Sequence, residues 1–281
     1  MSTRHKWQLR EFMAAVVLAV GCLFTMNTTA FSEDVGLLGP MKVSELSVPD
    51  TAVIIKDPTG KAPTENVYSF SIVSDFCQSR KYDNFDGSDC KNHSVRSQMH
   101  ETLVDKSRPE VTQPKQAWYG WYMYFPKDFA YGKKQPNGGY TFFYWHGSPC
   151  PHVTIDNFDH QWLTLHVNDV IFDRKNHQKF QCVVRTSIYI QKISSMLGKW
   201  NRFEASIKWS KESDGNIQLY MNGKKVANYD GPNVIPFQNS RNSVQFGLYL
   251  HQAKDMATIA PTGMYFAAVK SAKDREGLKP N

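Results

Sequence analysis

Apolar and polar side chains alternate at every second position along much of this chain, the period of a half-buried β-strand rather than of a helix. Val67–Val73 (VYSFSIV) is a strand by its β-branched and aromatic content. In Val95–Leu103, Val95, Met99 and Leu103 share one face, with Ser97 and Glu101 between them, while Arg96, Gln98 and His100 share the other. Gln161–Val167 sets Leu163, Leu165 and Val167 against Trp162, Thr164 and His166. Asn168-Asp169 reads as a tight turn into Val170–Phe172, and Phe180–Ile190 as a long strand. In Trp200–Trp209, Phe203, Ala205, Ile207 and Trp209 oppose Arg202, Glu204, Ser206 and Lys208. Ile217–Met221 and Lys224–Tyr229 flank Asn222-Gly223, the pair that suits the positive φ values of a type I′ hairpin. Val244–Leu250 points Val244, Phe246, Leu248 and Leu250 inward and Gln245, Gly247, Tyr249 and His251 the other way, and Met264–Val269 is a last strand. Beyond a turn or two near Ser194–Leu197, no stretch has a helical period. Many short strands with turn signals between them predict an all-β sandwich of the jelly-roll kind.

The richest stretch is Trp118–Gly147, two aromatic strand candidates joined by a Pro/Gly/Lys loop. A period of two puts Tyr140, Phe142, Tyr144 and His146 on one face and Thr141, Phe143 and Trp145 on the other. A buried face needs only apolar side chains, so the tyrosines and the histidine mark a second, working face. In a curved sandwich that face is the concave one and forms a groove. Arg96/Gln98/His100, Tyr144/His146 and Gln245/Tyr249/His251 fall on it, with Tyr249 facing His146.

Length changes the picture little: 281 residues suit one large domain once the N-terminus is set aside. Residues 1–30 have the make-up of a secretory signal, with Arg4, Lys6 and Arg10 before the apolar run Met13–Phe24 and small residues at Thr28-Thr29-Ala30. Ala19-Val20-Gly21-Cys22 is similar to a lipoprotein cleavage box, but Ala19 fits its first position poorly. The expectation is a single domain over residues 31–281, with an irregular lead-in at 31–66 and one edge strand at Ala52–Ile55. Export would leave Cys77, Cys90, Cys150 and Cys182 in an oxidising compartment, where two disulfides are expected and three pairings are open. Cys77 with Cys90 closes a short polar loop, which would leave Cys150 with Cys182. The formal net charge is +7, of which the first 30 residues carry +2, leaving about +5 for the body. That charge is compatible with an anionic polymer. Nucleic acid is disfavoured by the export signal and the lack of a helix-based reading motif.

The working face has the groups that β-elimination from a uronic-acid polymer requires. An Arg, an amide or a protonated His must neutralise the sugar carboxylate and stabilise the enolate-like transition state. A His or Tyr removes the neighbouring proton, and a Tyr protonates the departing glycosidic oxygen. A jelly-roll glucanase would instead carry a Glu-x-Asp-x-x-Glu strand, which is absent, as are the Gly-x-Ser-x-Gly elbow and a phosphate loop. His152, His160, His166 and His177 lack metal-ligand spacing and read as residues of loops or solvated strand faces. The run Arg174, Lys175, His177, Lys179 reads as a solvated loop. Trp118, Trp121 and Trp162 could each serve as core or as sugar platform.

RSQMHE at 96–101, WYGWYMYFPKDF at 118–129, FYWHG at 143–147, LGKWNRFEASIKWS at 197–210, YMNGKKV at 220–226 and FGLYLH at 246–251 occur in an order and spacing that resemble a known family. It is the polysaccharide lyases with a concanavalin A-like jelly roll, in particular the heparin lyase I-like and glucuronan lyase-like group. The resemblance implies His146 as base or carboxylate neutraliser, Tyr249 as acid/base and Arg96 as a subsite residue. Gln98, His100, Tyr144, Gln245 and His251 complete the expected substrate-binding set. The resemblance also implies an acidic polysaccharide partner and no cofactor beyond a structural calcium ion that some relatives hold; the make-up of residues 1–30 adds the expectation of a periplasmic or secreted protein with no membrane attachment after signal removal, and a monomer is expected. Gln98 stands where the family usually has Glu, Tyr144 where it has Gln and Leu250 where it has Arg. Those departures motivate an alternative, a non-catalytic glycan-binding jelly roll.

Overall fold

The computed structural model describes residues 38, 41–44, 47, 50–73, 89, 93–101, 116–132, 139–147, 150–159, 161–172, 180–235, 243–251 and 259–279. Residues 1–30, Cys77, Cys90, His160, His177 and the basic run 174–179 lie outside them.

Fourteen strands are described: β1 (Met41–Val43), β2 (Ala52–Lys56), β3 (Asn66–Ile72), β4 (Val95–Glu101), β5 (Gln116–Tyr124), β6 (Tyr140–His146), β7 (Pro151–Asp156), β8 (Trp162–Phe172), β9 (Phe180–Lys192), β10 (Trp200–Lys208), β11 (Asn216–Met221), β12 (Lys224–Asp230), β13 (Ser243–Leu250) and β14 (Thr262–Ala272). They form two antiparallel seven-stranded sheets, ordered β1-β4-β13-β6-β7-β8-β9 and β12-β11-β10-β5-β14-β3-β2. No helix among the described residues is long and apolar enough to cross a membrane.

The sheets meet through aromatic side chains, as a sandwich requires of its two inner faces. Trp121 of β5 stacks on Phe143 of β6 with ring centroids 4.1 Å apart. Phe246 of β13 makes T-shaped contacts with Phe70 of β3 at 5.6 Å and with Tyr68 at 5.1 Å. The two aromatic strands of the 118–147 stretch therefore belong to different sheets and face one another across the core. Each such ring, taken fully out of water, contributes roughly 1.5–3 kcal/mol.

Polar residues on the inner face of β4 are satisfied by neighbouring backbone. The Ser97 hydroxyl donates to the Thr51 carbonyl at 2.6 Å. The buried Glu101 carboxylate accepts the Val244 N–H at 3.3 Å. At the β11–β12 hairpin Asn222 and Gly223 have φ of 50° and 83°, as the Asn-Gly pair predicts. The expected Cys150–Cys182 disulfide is present and joins the start of β7 to β9.

Four expectations change. First, the lead-in is not wholly irregular: besides β2 at one edge of the second sheet, β1 pairs with β4 at the edge of the first. Second, β7 (PHVTID) is a strand that the reading of the sequence passed over, lying between β6 and β8 with Val153 and Ile155 in the core. Third, Asn168-Asp169 is no turn: β8 runs straight through it, and a register shift at Val167/Asn168 absorbs the irregularity. Asn168 donates its amide to the Pro151 carbonyl at 3.1 Å, and Asp169 pairs with Arg185 at 2.5 Å. Fourth, β6 does not keep a period of two. Its pairing with β7 shifts between Thr141 and Phe143, so that Phe142 and Phe143 both enter the core. Tyr140 is likewise a core residue, and Thr141 replaces Tyr140 and Phe142 on the opposite face.

Candidate active site on the outer face of the first sheet

β4, β13 and β6 are adjacent, and their outward side chains meet. Gly247 is the feature that lets β13 lie against β4. Its φ is 132°, and a Cβ there would stand 2.4 Å from the Ser97 carbonyl oxygen and 2.9 Å from the Gln98 Cα. The register places Tyr249 opposite Arg96 and Gln245 opposite His100 on one side. On the other side Gln245 stands opposite Tyr144, Tyr249 opposite Thr141, and Ser243 opposite His146. Tyr249 and His146 are therefore not cross-strand partners, contrary to the expectation that they face each other. The imidazole that touches Tyr249 is His251, with ring centroids 3.8 Å apart.

Arg96 sits at the centre of this arrangement. Its Nε and Nη2 bind the two oxygens of Asp89 at 2.6 and 3.1 Å, a fork-to-fork pair. Its guanidinium carbon lies 4.1 Å from the centre of the Tyr249 ring. Burial alone would lower its pKa; Tyr144, the Asp89 pair and Tyr249 outweigh burial and hold it above the ordinary value. The charge is thus permanent.

That charge, added to burial, acts on the histidines. Desolvation first, then Arg96, lowers His146 to about 4 and His251 to about 3. Both imidazoles are neutral near pH 7. The His251 Nε2 lies 2.9 Å from the Thr141 hydroxyl, and the His146 ring lies 5.9 Å from that of Tyr144.

Tyr144 is buried, and burial raises its pKa well above that of an ordinary phenol. Its oxygen lies 2.9 Å from Gln98 Oε1 and 2.6 Å from Gln245 Oε1. A phenol has one proton and cannot donate to both. Gln98 Nε2 is buried without a hydrogen-bond partner among the described residues. Turning the Gln98 amide over satisfies both groups: its NH2 donates to the phenol oxygen, and the phenol donates to Gln245. The three polar side chains then form one chain across β4, β6 and β13.

A second polar chain continues over the same face. His166 binds Asp156 through Nε2 at 3.0 Å and the Ser187 hydroxyl through Nδ1 at 2.8 Å. Thr154 donates to the other Asp156 oxygen at 2.8 Å. Burial pushes the Asp156 carboxyl above its ordinary value against the pull of His166. His166 is therefore on a strand face, as expected, but buried and paired rather than solvated. His152 is also buried rather than on a loop surface, accepting the Ile235 N–H at 3.1 Å, and burial lowers it to about 4. Trp121 belongs to the core. Trp118 stacks on Tyr220 at 6.0 Å on the other sheet, and Trp162 contacts Tyr189 on the first.

Of the eight residues singled out from the sequence, the structure brings Arg96, Tyr249 and His251 into one contact group and Gln98, Tyr144 and Gln245 into another. His100 stands beside Gln245 in register, and His146 ends β6. Asp89 and Thr141 escaped the sequence reading. Asp89 lies in the Cys-bracketed loop, and its proximity to Arg96 has no sequence signal; Thr141 needed the β6 irregularity. Among the described residues no three His, Cys, Asp or Glu side chains are grouped to hold a metal ion.

Residues 66–270 match the model of a family described as polysaccharide lyase, a span that includes β4, β6 and β13. Among solved structures, the chain is similar to an endo-β-1,4-glucuronan lyase from the fungus Trichoderma reesei, with a TM-score of 0.60 and 14% identity over 85% of this chain and 93% of that one. It is also similar to a family 7 alginate lyase in complex with product, with a TM-score of 0.50 and 14% identity over 81% and 85% of the two chains. At such identity the likeness is one of fold. No curated protein matches the chain in sequence.

Proposed function

The chain belongs to the polysaccharide lyase family, and from that premise we propose that it is exported and cleaves an anionic, uronate-containing polysaccharide by β-elimination, as a glucuronan lyase-like member. The observation that carries this reading is the contact of the Tyr249 ring with both the permanent charge of Arg96 and the neutral ring of His251. The solved lyases of similar fold act on glucuronan and alginate, both uronate polymers, which supports the substrate class.

In this reading the substrate carboxylate lies against Arg96 and the Gln98–Tyr144–Gln245 chain. A fixed cation and an amide beside that carboxylate favour the enolate-like charge that develops as the α-proton leaves. Sequence left His146 two roles. Its pKa of about 4 favours the base, because a neutral imidazole accepts a proton and cannot neutralise a carboxylate. Tyr249 gives its phenolic proton to the departing glycosidic oxygen. The chain end left behind carries a carbon–carbon double bond conjugated to the carboxylate, and the other product ends in a hydroxyl. Export rests on the make-up of residues 1–30 and agrees with the Cys150–Cys182 disulfide.

The test is an ultraviolet assay of residues 31–281 on polyglucuronate, alginate and heparin-type chains. The expected result is rising absorbance from the conjugated double bond on a uronate polymer. No such product from any of them would overturn the reading.

A further inference from the structure

The outer face of the first sheet extends beyond the residues assigned so far. One cross-strand row runs from Arg96 through Tyr249, Thr141, Asp156 and Thr164 to Tyr189 on the edge strand β9. Four strand steps of about 4.8 Å separate Tyr249 from Tyr189, a span of about 19 Å. Aromatic rings lie along it. Phe158 is 41% exposed, and its ring stands between His251 at 5.3 Å and His166 at 5.9 Å. Tyr189 is 59% exposed, with its ring 5.7 Å from that of Trp162. The Lys192 ammonium lies 5.3 Å from the centre of the Trp162 ring.

Neither Phe158 nor Tyr189 is part of the core, so both rings are open to a ligand on this face. Their setting points to a sugar chain. The rings are separate platforms, with the exposed Ser187 two residues from Tyr189 on β9, rather than one continuous apolar patch. Lys192 adds a positive charge. The acid beneath the row, Asp156, is fully buried and held by His166 and Thr154, so it presents no charge to a ligand. Asp159, in the turn before β8, accepts the Gln161 and Trp162 N–H groups. The row is also continuous with Tyr249, and a polymer cut there must extend away from the cut.

We propose that Phe158, Trp162, Tyr189 and Lys192 form a distal subsite for uronate units of the same polymer, several sugars from the bond broken at Tyr249. This rests on the lyase reading above. A chain lying across the strands engages both ends of the row at once, so the subsite strengthens binding of long substrates and leaves the chemical step alone.

The test compares wild type with Tyr189→Ala, Lys192→Ala and the double variant. These side chains are surface-exposed, and unchanged thermal midpoints would establish intact folds. The probes are polyglucuronate and alginate, each as polymer and as trisaccharide, the latter shorter than the 19 Å or so between Tyr249 and Tyr189. For the double variant KM on polymer should rise about tenfold, the worth of one stacking contact with its cation. Its kcat, and both constants on trisaccharide, should stay unchanged. An unchanged KM on polymer would overturn the subsite and leave the lyase reading intact. If wild type forms no unsaturated product, the lyase reading fails, and retardation in native gels containing each polymer decides the subsite. Retardation that the double variant loses would uphold it; retardation that is absent, or equal in both proteins, would overturn it.

Discussion

Arg96 keeps its charge in a half-buried position because Asp89 grips it side-on through Nε and Nη2 and the Tyr249 ring lies 4.1 Å away. Its field reaches both histidines of the candidate site, and two outcomes follow at this scale. In an NMR titration of the ring protons, His146 should titrate near 4 and His251 near 3. In Arg96→Gln both midpoints should move up but remain below 6.5, since burial is the larger cause and persists. Midpoints near 6.5 in wild type would contradict the account. The sequence made Arg96, Tyr249 and His251 visible because their strands alternate regularly up to the site. It did not reveal Asp89, because a contact between a loop and a strand leaves no periodic trace. Nor did it expose the burial of His152 and His166, since a histidine looks the same in sequence whether it is solvated or sealed.

At the scale of elements, the site depends on irregularities in otherwise regular strands. Gly247 lets β13 approach β4 where a Cβ would strike the Ser97 carbonyl. Gly247→Ala should therefore lower stability by at least about 2 kcal/mol, from positive-φ strain and backbone overlap together, as read from urea unfolding. Stability equal to wild type would show that β13 does not pack in this way. The shift at Phe142 in β6 turns Thr141 outward and keeps Tyr144 and His146 there. A reading with period two handled β10 and β13 correctly because their inner faces are unbroken runs of apolar side chains. It failed on β6, where nearly every residue is aromatic and a bulge costs no hydrophobic burial. It passed over β7, where only Val153 and Ile155 alternate with His152, Thr154 and Asp156, a run too short to stand out after Pro151. The Asn222-Gly223 hairpin was legible because its turn chemistry is local.

For the whole molecule, two seven-stranded sheets make a scaffold whose stability should respond to acid and to reduction. His146, His152 and His251 have folded pKa values of about 4, 4 and 3, below the ordinary 6.5. Between those values the unfolded chain binds more protons than the folded one. Stability is therefore fully present above about pH 6.5 and is lost as pH falls toward 4 and then 3. The thermal midpoint should drop steadily across that window; a flat profile would contradict the burial of these rings. The Cys150–Cys182 bridge closes a loop with a sequence separation of 32. Replacing both cysteines by serine should reduce the unfolding free energy by about 3–4 kcal/mol in urea titration. The most direct test of the central claim, elimination at the Arg96–Tyr249–His251 contact, is the rate of unsaturated product formed by Tyr249→Phe beside wild type on the preferred uronate polymer. The account predicts a loss of about a hundredfold or more with the thermal midpoint unchanged, as for removal of a general acid. A variant that cleaves at the wild-type rate would show that the chemistry lies elsewhere.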